Sequence, residues 1–291
     1  MNLDFVLVFL KGIVMGIANL IPGLSASTMA LVMGIYPRFI RETDNAIKFM
    51  GKGFKRKVDF GFLAILGLGV IIAILGGARL MADLLETHGA FAFAFFAGLI
   101  AASGLIMLKA IKEIKVSGVA LFLIGLVFAA GISFLAPASG FTPSLWYIFI
   151  GGFFAACAMF VPGVSGSFVL LIMGIYTYMI ESLAQISQNA LPILIFCGGA
   201  LVGAAIVSHI ISHLLKKRHD LTMLFLFGLV IGGLVMPIRE IMNFGVGIPA
   251  TELGVWYGSL IILCATGVGL VIILSRIGNK LPATATKVPL K

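Results

Sequence analysis

Six apolar runs, at roughly residues 60–80, 90–108, 117–136, 191–214, 221–238 and 254–275, each have the length needed to cross the hydrocarbon core of a bilayer. The bilayer core offers backbone groups no water, so each run must satisfy its own N–H and C=O groups, which a helix does. Composition closes the soluble alternative: 61% of the 291 residues are hydrophobic and 11% are charged, whereas soluble domains carry about 25% charge. The 36 glycines suit helices that must approach one another closely in lipid. The chain reads as an all-α integral membrane protein. The apolar stretch from Phe5 lacks a basic leader and recurs later in the sequence, so it is read as mature protein.

The recurrence is a duplication. Residues 12–40 (GIVMGIANLIPGLSASTMALVMGIYPRFI) align without gaps on residues 152–180 (GFFAACAMFVPGVSGSFVLLIMGIYTYMI), with 12 identities in 29 positions. The likeness continues with Leu84-Leu85 over Leu214-Leu215 and Gly98-Leu99 over Gly228-Leu229. Residues 1–140 form a first repeat and 141–291 a second.

Charge orients the repeats. Basic residues collect on the cytoplasmic side of membrane proteins, and the loop at 37–59 holds seven of them. Alternating from there places 109–116, 216–220 and the chain from Arg276 onward inside as well, with all Lys and Arg but Lys11, Arg79 and Arg239 cytoplasmic. The net charge of +9 is therefore a topology signal facing anionic lipid, not a nucleic-acid footprint. The same alternation puts the loop after Tyr176 outside, opposite to its counterpart at 37–59. The two halves are inverted, and both termini are expected in the cytoplasm. Inverted repeats are a recurring build of secondary transporters, which hold their substrate at the repeat interface near the midplane. Parity makes residues 5–36 begin and end inside and 144–180 begin and end outside, so each is expected to be a re-entrant helical hairpin added to three transmembrane helices per half.

Each hairpin bends at Pro-Gly. Pro22 and Pro162 cannot continue a helical ladder, and Gly23 and Gly163 admit backbone that other residues avoid. Ser25 or Ser27, with Ser165 or Ser167 in the second copy, is expected to cap the following arm, whose amides and positive dipole end would point into the protein. Four hydroxyls with Thr28, Asn19 and the small Gly166 make an anion site that suits a phosphate.

Other candidates are ionisable groups in or beside apolar runs, which in a membrane are functional hypotheses by default. Arg79 and Asp83 lie one turn apart, with His209 and His213 as their repeat counterparts; Arg239 and Glu240 would face the outer side, and Lys11 is read as a side chain reaching to the cytoplasmic surface. Arg79, His209 and Arg239 join the expected substrate-binding set. No metal is expected, since His209 and His213 lack a third ligand nearby, and Cys157, Cys197 and Cys264 show no ligand or disulfide spacing. No cofactor is expected.

The elements NLIPGLSAST at 19–28 and FVPGVSGSF at 160–168, each followed by Gly-Ile-Tyr, resemble the DUF368 membrane proteins, the PopT-type polyprenyl-phosphate transporters of bacteria. Pro37-Arg38 and Thr177-Tyr178 stand where an acidic residue follows Gly-x-Tyr in the family pattern. The resemblance implies a flippase of the bacterial cytoplasmic membrane that returns undecaprenyl phosphate from the outer to the inner leaflet for lipid-carrier recycling, with membrane lipids as surroundings and a proton or sodium ion as coupling ion. The rival reading is a channel or secondary transporter for a small soluble anion. An enzyme is not expected, because the clustered His, Asp and Arg of phosphoryl chemistry are missing.

Overall fold

The computed structural model describes residues 3–20, 25–52, 58–135, 143–184, 189–246, 249 and 251–280. Among them the secondary structure is entirely helical. The order is α1 (Leu3–Leu20), α2 (Ala26–Val32), α3 (Tyr36–Lys52), α4 (Phe60–Ala110), α5 (Val116–Ile132), α6 (Leu145–Phe160), α7 (Gly166–Ile172), α8 (Tyr176–Ala184), α9 (Ala190–Lys217), α10 (His219–Gly232), α11 (Val235–Phe244) and α12 (Leu253–Lys280).

The spans fall where apolar length placed them. Phe60–Gly77, Asp83–Lys109, Ala190–Lys217, His219–Phe244 and Leu253–Arg276 are long and apolar enough to cross a membrane, and the 17 residues of α5 are a shorter apolar helix. The first two belong to the single element α4, broken at His88 by non-helical backbone (φ −135°, ψ 33°). The third span of the second half runs beyond residue 238, because α11 continues α10 after a break at Gly233; Arg239 therefore stands on a helix and not in a loop.

Two features differ from the sequence expectation. Residues 37–59 contain the helix α3, whose buried face includes Tyr36 and Ile40, with charge on its flanks. The returning arms of the hairpins are seven residues each, α2 and α7, not the 15 to 18 that a symmetrical hairpin would have. Each stops at Met-Gly-Ile-Tyr, where Gly34 and Gly174 both take φ +71°. Gly34 donates to Leu31 O and Ile35 to Ala30 O, and Gly174 and Ile175 repeat this with Leu171 and Leu170. This paired bonding is the Schellman stop, which wants glycine at its left-handed position; it accounts for the glycine that recurs in both halves. After the second stop the chain turns by 113° into α8.

The packing repeats as the sequence does. Helix α1 lies on the first part of α4 as α6 lies on α9, and the second part of α4 packs on α12 as α10 packs on α5, so the halves interlock. A Cβ on Gly12 would strike the Leu66 carbonyl and one on Gly69 the Phe9 carbonyl; in the second half Gly152 meets Phe196 and Gly199 meets Phe149 in the same way. These are backbone-to-backbone crossings that only glycine permits, of the kind that drives helix association in lipid. The seam near residue 140 lies outside the described residues.

Candidate functional site

The second hairpin tip is fully described. Helix α6 ends at Phe160, Pro162 is buried at the turn, and Gly163 takes φ +85°. A Cβ there would also collide with the backbone of Leu229 and Val230 in α10, so both the conformation and the close approach require glycine. Pro22 and Gly23 of the first tip lie outside the described residues, but the polar residues that follow them are placed.

Ser25 and Ser165 occupy the N-cap positions of α2 and α7 with extended backbone, yet neither hydroxyl caps its helix. Each pairs instead with the second serine of its own tip: Ser25 Oγ and Ser27 Oγ are 2.6 Å apart, and Ser165 Oγ and Ser167 Oγ 2.9 Å. The expected capping role is thus replaced by a hydroxyl pair. A two-turn helix aligns few peptide dipoles, so these hydroxyls, and not a macrodipole, are what the tips chiefly offer an anion.

The tips meet each other. The Gly163 amide donates to Thr28 Oγ1 at 3.1 Å, and Ser25 Oγ donates to the Val161 carbonyl at 3.5 Å. The Tyr36 hydroxyl, fully buried, donates to the Phe160 carbonyl at 3.0 Å, and the Phe39 ring stacks on Phe160 with centroids 5.0 Å apart. Ser25, Ser27 and Thr28, which follow the bend of the first hairpin, are all buried.

The second tip is open on its other side. A cavity of about 390 Å³ is lined by Asn19, Ser167, Tyr176, Arg239 and Glu240 together with apolar side chains. A smaller pocket holding Gly163, Ser165 and Ser133 adjoins it through Ser133, Phe168 and Met236. Arg239 Nη1 donates to the Ser133 carbonyl at 2.6 Å, which fixes the guanidinium at the cavity wall. Among the described residues no other hydrogen-bond acceptor engages it, so most of its five donors are available to an anion.

The model of the VCA0040-like family, described as undecaprenyl phosphate translocase-like, matches residues 15–246. The chain belongs to this family. A polyprenyl-phosphate transporter of Vibrio cholerae serotype O1 is 35% identical over 255 residues, covering 84% of this chain and 82% of that protein. One of Staphylococcus aureus is 32% identical over 273 residues, covering 87% and 90%. No solved structure matches the chain. These names are those of transporters, and the chain is a multi-pass member of a transporter family, not an enzyme.

Within this translocase-like fold the remaining candidates separate. Asn19, Ser167 and Arg239 share the cavity, Gly163 and Ser165 its side pocket, and Gly166 is buried against Ala155 and Met159. Arg79 is exposed on α4, does not pair with Asp83, and lines neither of these cavities. His209 stands apart from the tips: its Nδ1 lies 3.1 Å from Asp44 Oδ1, and Asp44, buried in α3, is also held by Lys48 at 2.6 Å. Lys11 is half-buried, and its Nζ donates to the Met33 carbonyl at 3.1 Å, satisfying the C-terminal end of α2. Tyr147 does the same for Met173 at 3.0 Å. Among the described residues no three His, Cys, Asp or Glu gather to hold a metal ion.

Sequence reasoning missed Tyr36, Tyr176 and Ser133. The tyrosines were legible as part of the repeated Gly-Ile-Tyr, but their opposite roles depend on which side of the protein is open.

Proposed function

We propose that this protein is a flippase-type transporter of undecaprenyl phosphate, carrying it from the outer to the inner leaflet of the bacterial cytoplasmic membrane. The observation that bears this reading is the cavity in which the Ser167 hydroxyl, Asn19 and the Arg239 guanidinium converge beside the hairpin tip. A phosphate headgroup needs such donors, because a phosphate crossing bare hydrocarbon faces a Born cost of tens of kcal/mol. The isoprenoid tail can stay in lipid, so only the head requires a protein path. That both relatives are named polyprenyl-phosphate transporters supports the substrate class.

Asymmetry between the repeats supports the direction. Tyr36 closes the tips on one side, whereas its counterpart Tyr176 lines the open cavity. The basic segments gather at the closed end: the Lys112 amide donates to Asp220 Oδ1 at 3.4 Å, and His209 pairs with Asp44. By the charge rule that end is cytoplasmic. The open cavity then faces the outer leaflet, in the state that receives substrate. Exchange of roles between Tyr36 and Tyr176, with Tyr176 closing on the end of α1, would present the same headgroup to the inner leaflet, as alternating access in inverted repeats requires.

Purified protein in liposomes tests the reading. Wild type should move a labelled polyprenyl phosphate between leaflets, and Arg239→Gln should slow it at least tenfold. Movement of inorganic phosphate or chloride without the lipid would install the soluble-anion reading in its place.

A further inference from the structure

A second cavity, of about 450 Å³, opens beside the tip between α5, α6 and α7. All eleven residues lining it are apolar; Phe128 and Leu135 form one wall, Phe154 and Cys157 another, and Val169 and Ile172 a third. It adjoins the polar site: Ile132 and Val164 line both it and the side pocket at the tip, and Leu135 lines both it and the Arg239 cavity. Phe128 and Phe154 are more than half and half exposed respectively, so the groove opens sideways toward lipid. The two compartments therefore present, a few residues apart, hydroxyls and a guanidinium on one side and a dry trough on the other. That pairing suits an amphiphile with a charged head and an apolar tail. A soluble anion has no use for the trough.

We infer that this groove seats the isoprene units next to the phosphate of a polyprenyl phosphate, and so selects the lipid by its tail as well as its head. The inference rests on the transport reading above. The groove has the volume of a site for a drug-sized molecule, within the range of about 300 to 1,000 Å³, so it holds a few isoprene units while the remainder of the tail stays in the bilayer. Its walls mix aromatic rings with branched side chains, leaving an uneven trough that a methyl-branched chain fills better than a straight one, and unfilled space forfeits contact energy. The protein accordingly distinguishes polyprenyl phosphate from a straight-chain lipid with the same phosphate.

Two measurements test this on the full chain in detergent or nanodiscs. The first uses a polyprenyl phosphate bearing a diazirine on an isoprene unit next to the phosphate. Photolysis should label peptides containing Phe128, Phe154 or Val169, and excess unlabelled polyprenyl phosphate should suppress the labelling at least tenfold while phosphatidic acid suppresses it less than threefold. The second is Val169→Trp, which fills the trough: affinity for polyprenyl phosphate should fall about tenfold while that for methyl phosphate, a head with no isoprene unit, stays within twofold. Polyprenyl phosphate that binds but labels elsewhere, or labelling suppressed equally by phosphatidic acid, overturns the groove and leaves the transport reading standing. Absence of any polyprenyl phosphate binding overturns both.

Discussion

The Tyr36 hydroxyl, on the third helix of the first repeat, donates to the Phe160 carbonyl at the end of the first hairpin arm of the second repeat. The bond ties the halves together at the closed end of the tips. Tyr36→Phe keeps the ring and its burial but removes a hydrogen bond worth about 0.5 to 1.5 kcal/mol. In a two-state equilibrium that shifts the population of the opened end by about fivefold. Labelling of a cysteine at Ser27 by an impermeant maleimide from the closed side should rise by that factor in Tyr36→Phe, and Tyr176→Phe, which loses the bond that would close the opposite side in the alternate state, should lower it.

Two glycines with positive φ separate conformation from contact. Gly34 takes φ +71° with no atom near its missing Cβ, whereas Gly163 takes φ +85° against the backbone of α10. Left-handed backbone costs a non-glycine residue roughly 1 to 2 kcal/mol. Gly34→Ala should lose about that much stability, and Gly163→Ala distinctly more, with transport abolished because the tip must move. Thermal unfolding in detergent orders the two, and equal losses would show that the approach to α10 is not tight.

Much of this was legible in the residues. The six apolar runs marked the spans, because length in lipid leaves a helix little alternative, and the Pro-Gly-x-Ser-x-Ser copies marked the tips. The seven-residue arms were hidden: Met33-Gly34-Ile35-Tyr36 stood inside an apolar stretch, and nothing in hydrophobicity shows that Gly34 turns left-handed there. Of the two serines expected to cap α2, Ser25 holds the N-cap position, but its choice of Ser27 Oγ over a helix amide depends on three-dimensional packing. The pairing of His209 with Asp44 joins residues 165 apart in sequence and carries no local signal. Most of all, a duplicated sequence implies equivalent halves, whereas the folded chain buries Tyr36 against Phe160 and leaves Tyr176 lining an open cavity.

Arg239 and Glu240 line the same cavity with opposite charge. A carboxylate facing a phosphate dianion opposes its binding, while the guanidinium favours it. Arg239→Gln should weaken headgroup affinity by about ten- to a hundredfold, since hydrogen bonds to charged groups are worth about 1.5 to 3 kcal/mol. Glu240→Gln should strengthen it several-fold, most clearly at low salt. Equilibrium binding of dimethylallyl phosphate measures both, and a Glu240→Gln variant that binds more weakly would make the carboxylate a partner of the site and not an opponent.

Burial acts to raise the Asp44 carboxyl, but its bonds to Lys48 and His209 outweigh burial and hold it below the usual carboxylate value. A depressed folded-state value means that the stabilisation is present above the ordinary value of 3.8 and is lost as pH falls through the folded one. Both partners are partly exposed, so the effect is on the order of 1 kcal/mol. The melting temperature of wild type should drop below about pH 4 more steeply than that of Asp44→Asn, and the two should differ little in slope between pH 6 and 8.

The inversion of the halves is the premise of alternating access, and two exposed positions decide it. Lys112 lies in the loop after α4, whose neighbour across the interface is Asp220, and Glu181 lies exposed on α8, past the end of the second hairpin. The proposed topology puts the loop of Lys112, with its basic neighbours, in the cytoplasm and Glu181 on the opposite side. With Cys157, Cys197 and Cys264 replaced by serine, Lys112→Cys in intact cells should resist an impermeant maleimide until the membrane is opened. Glu181→Cys should react at once. Reaction of both from one side would make the repeats parallel; the two tips could not then trade places across the membrane, and a single fixed pore would have to serve both leaflets.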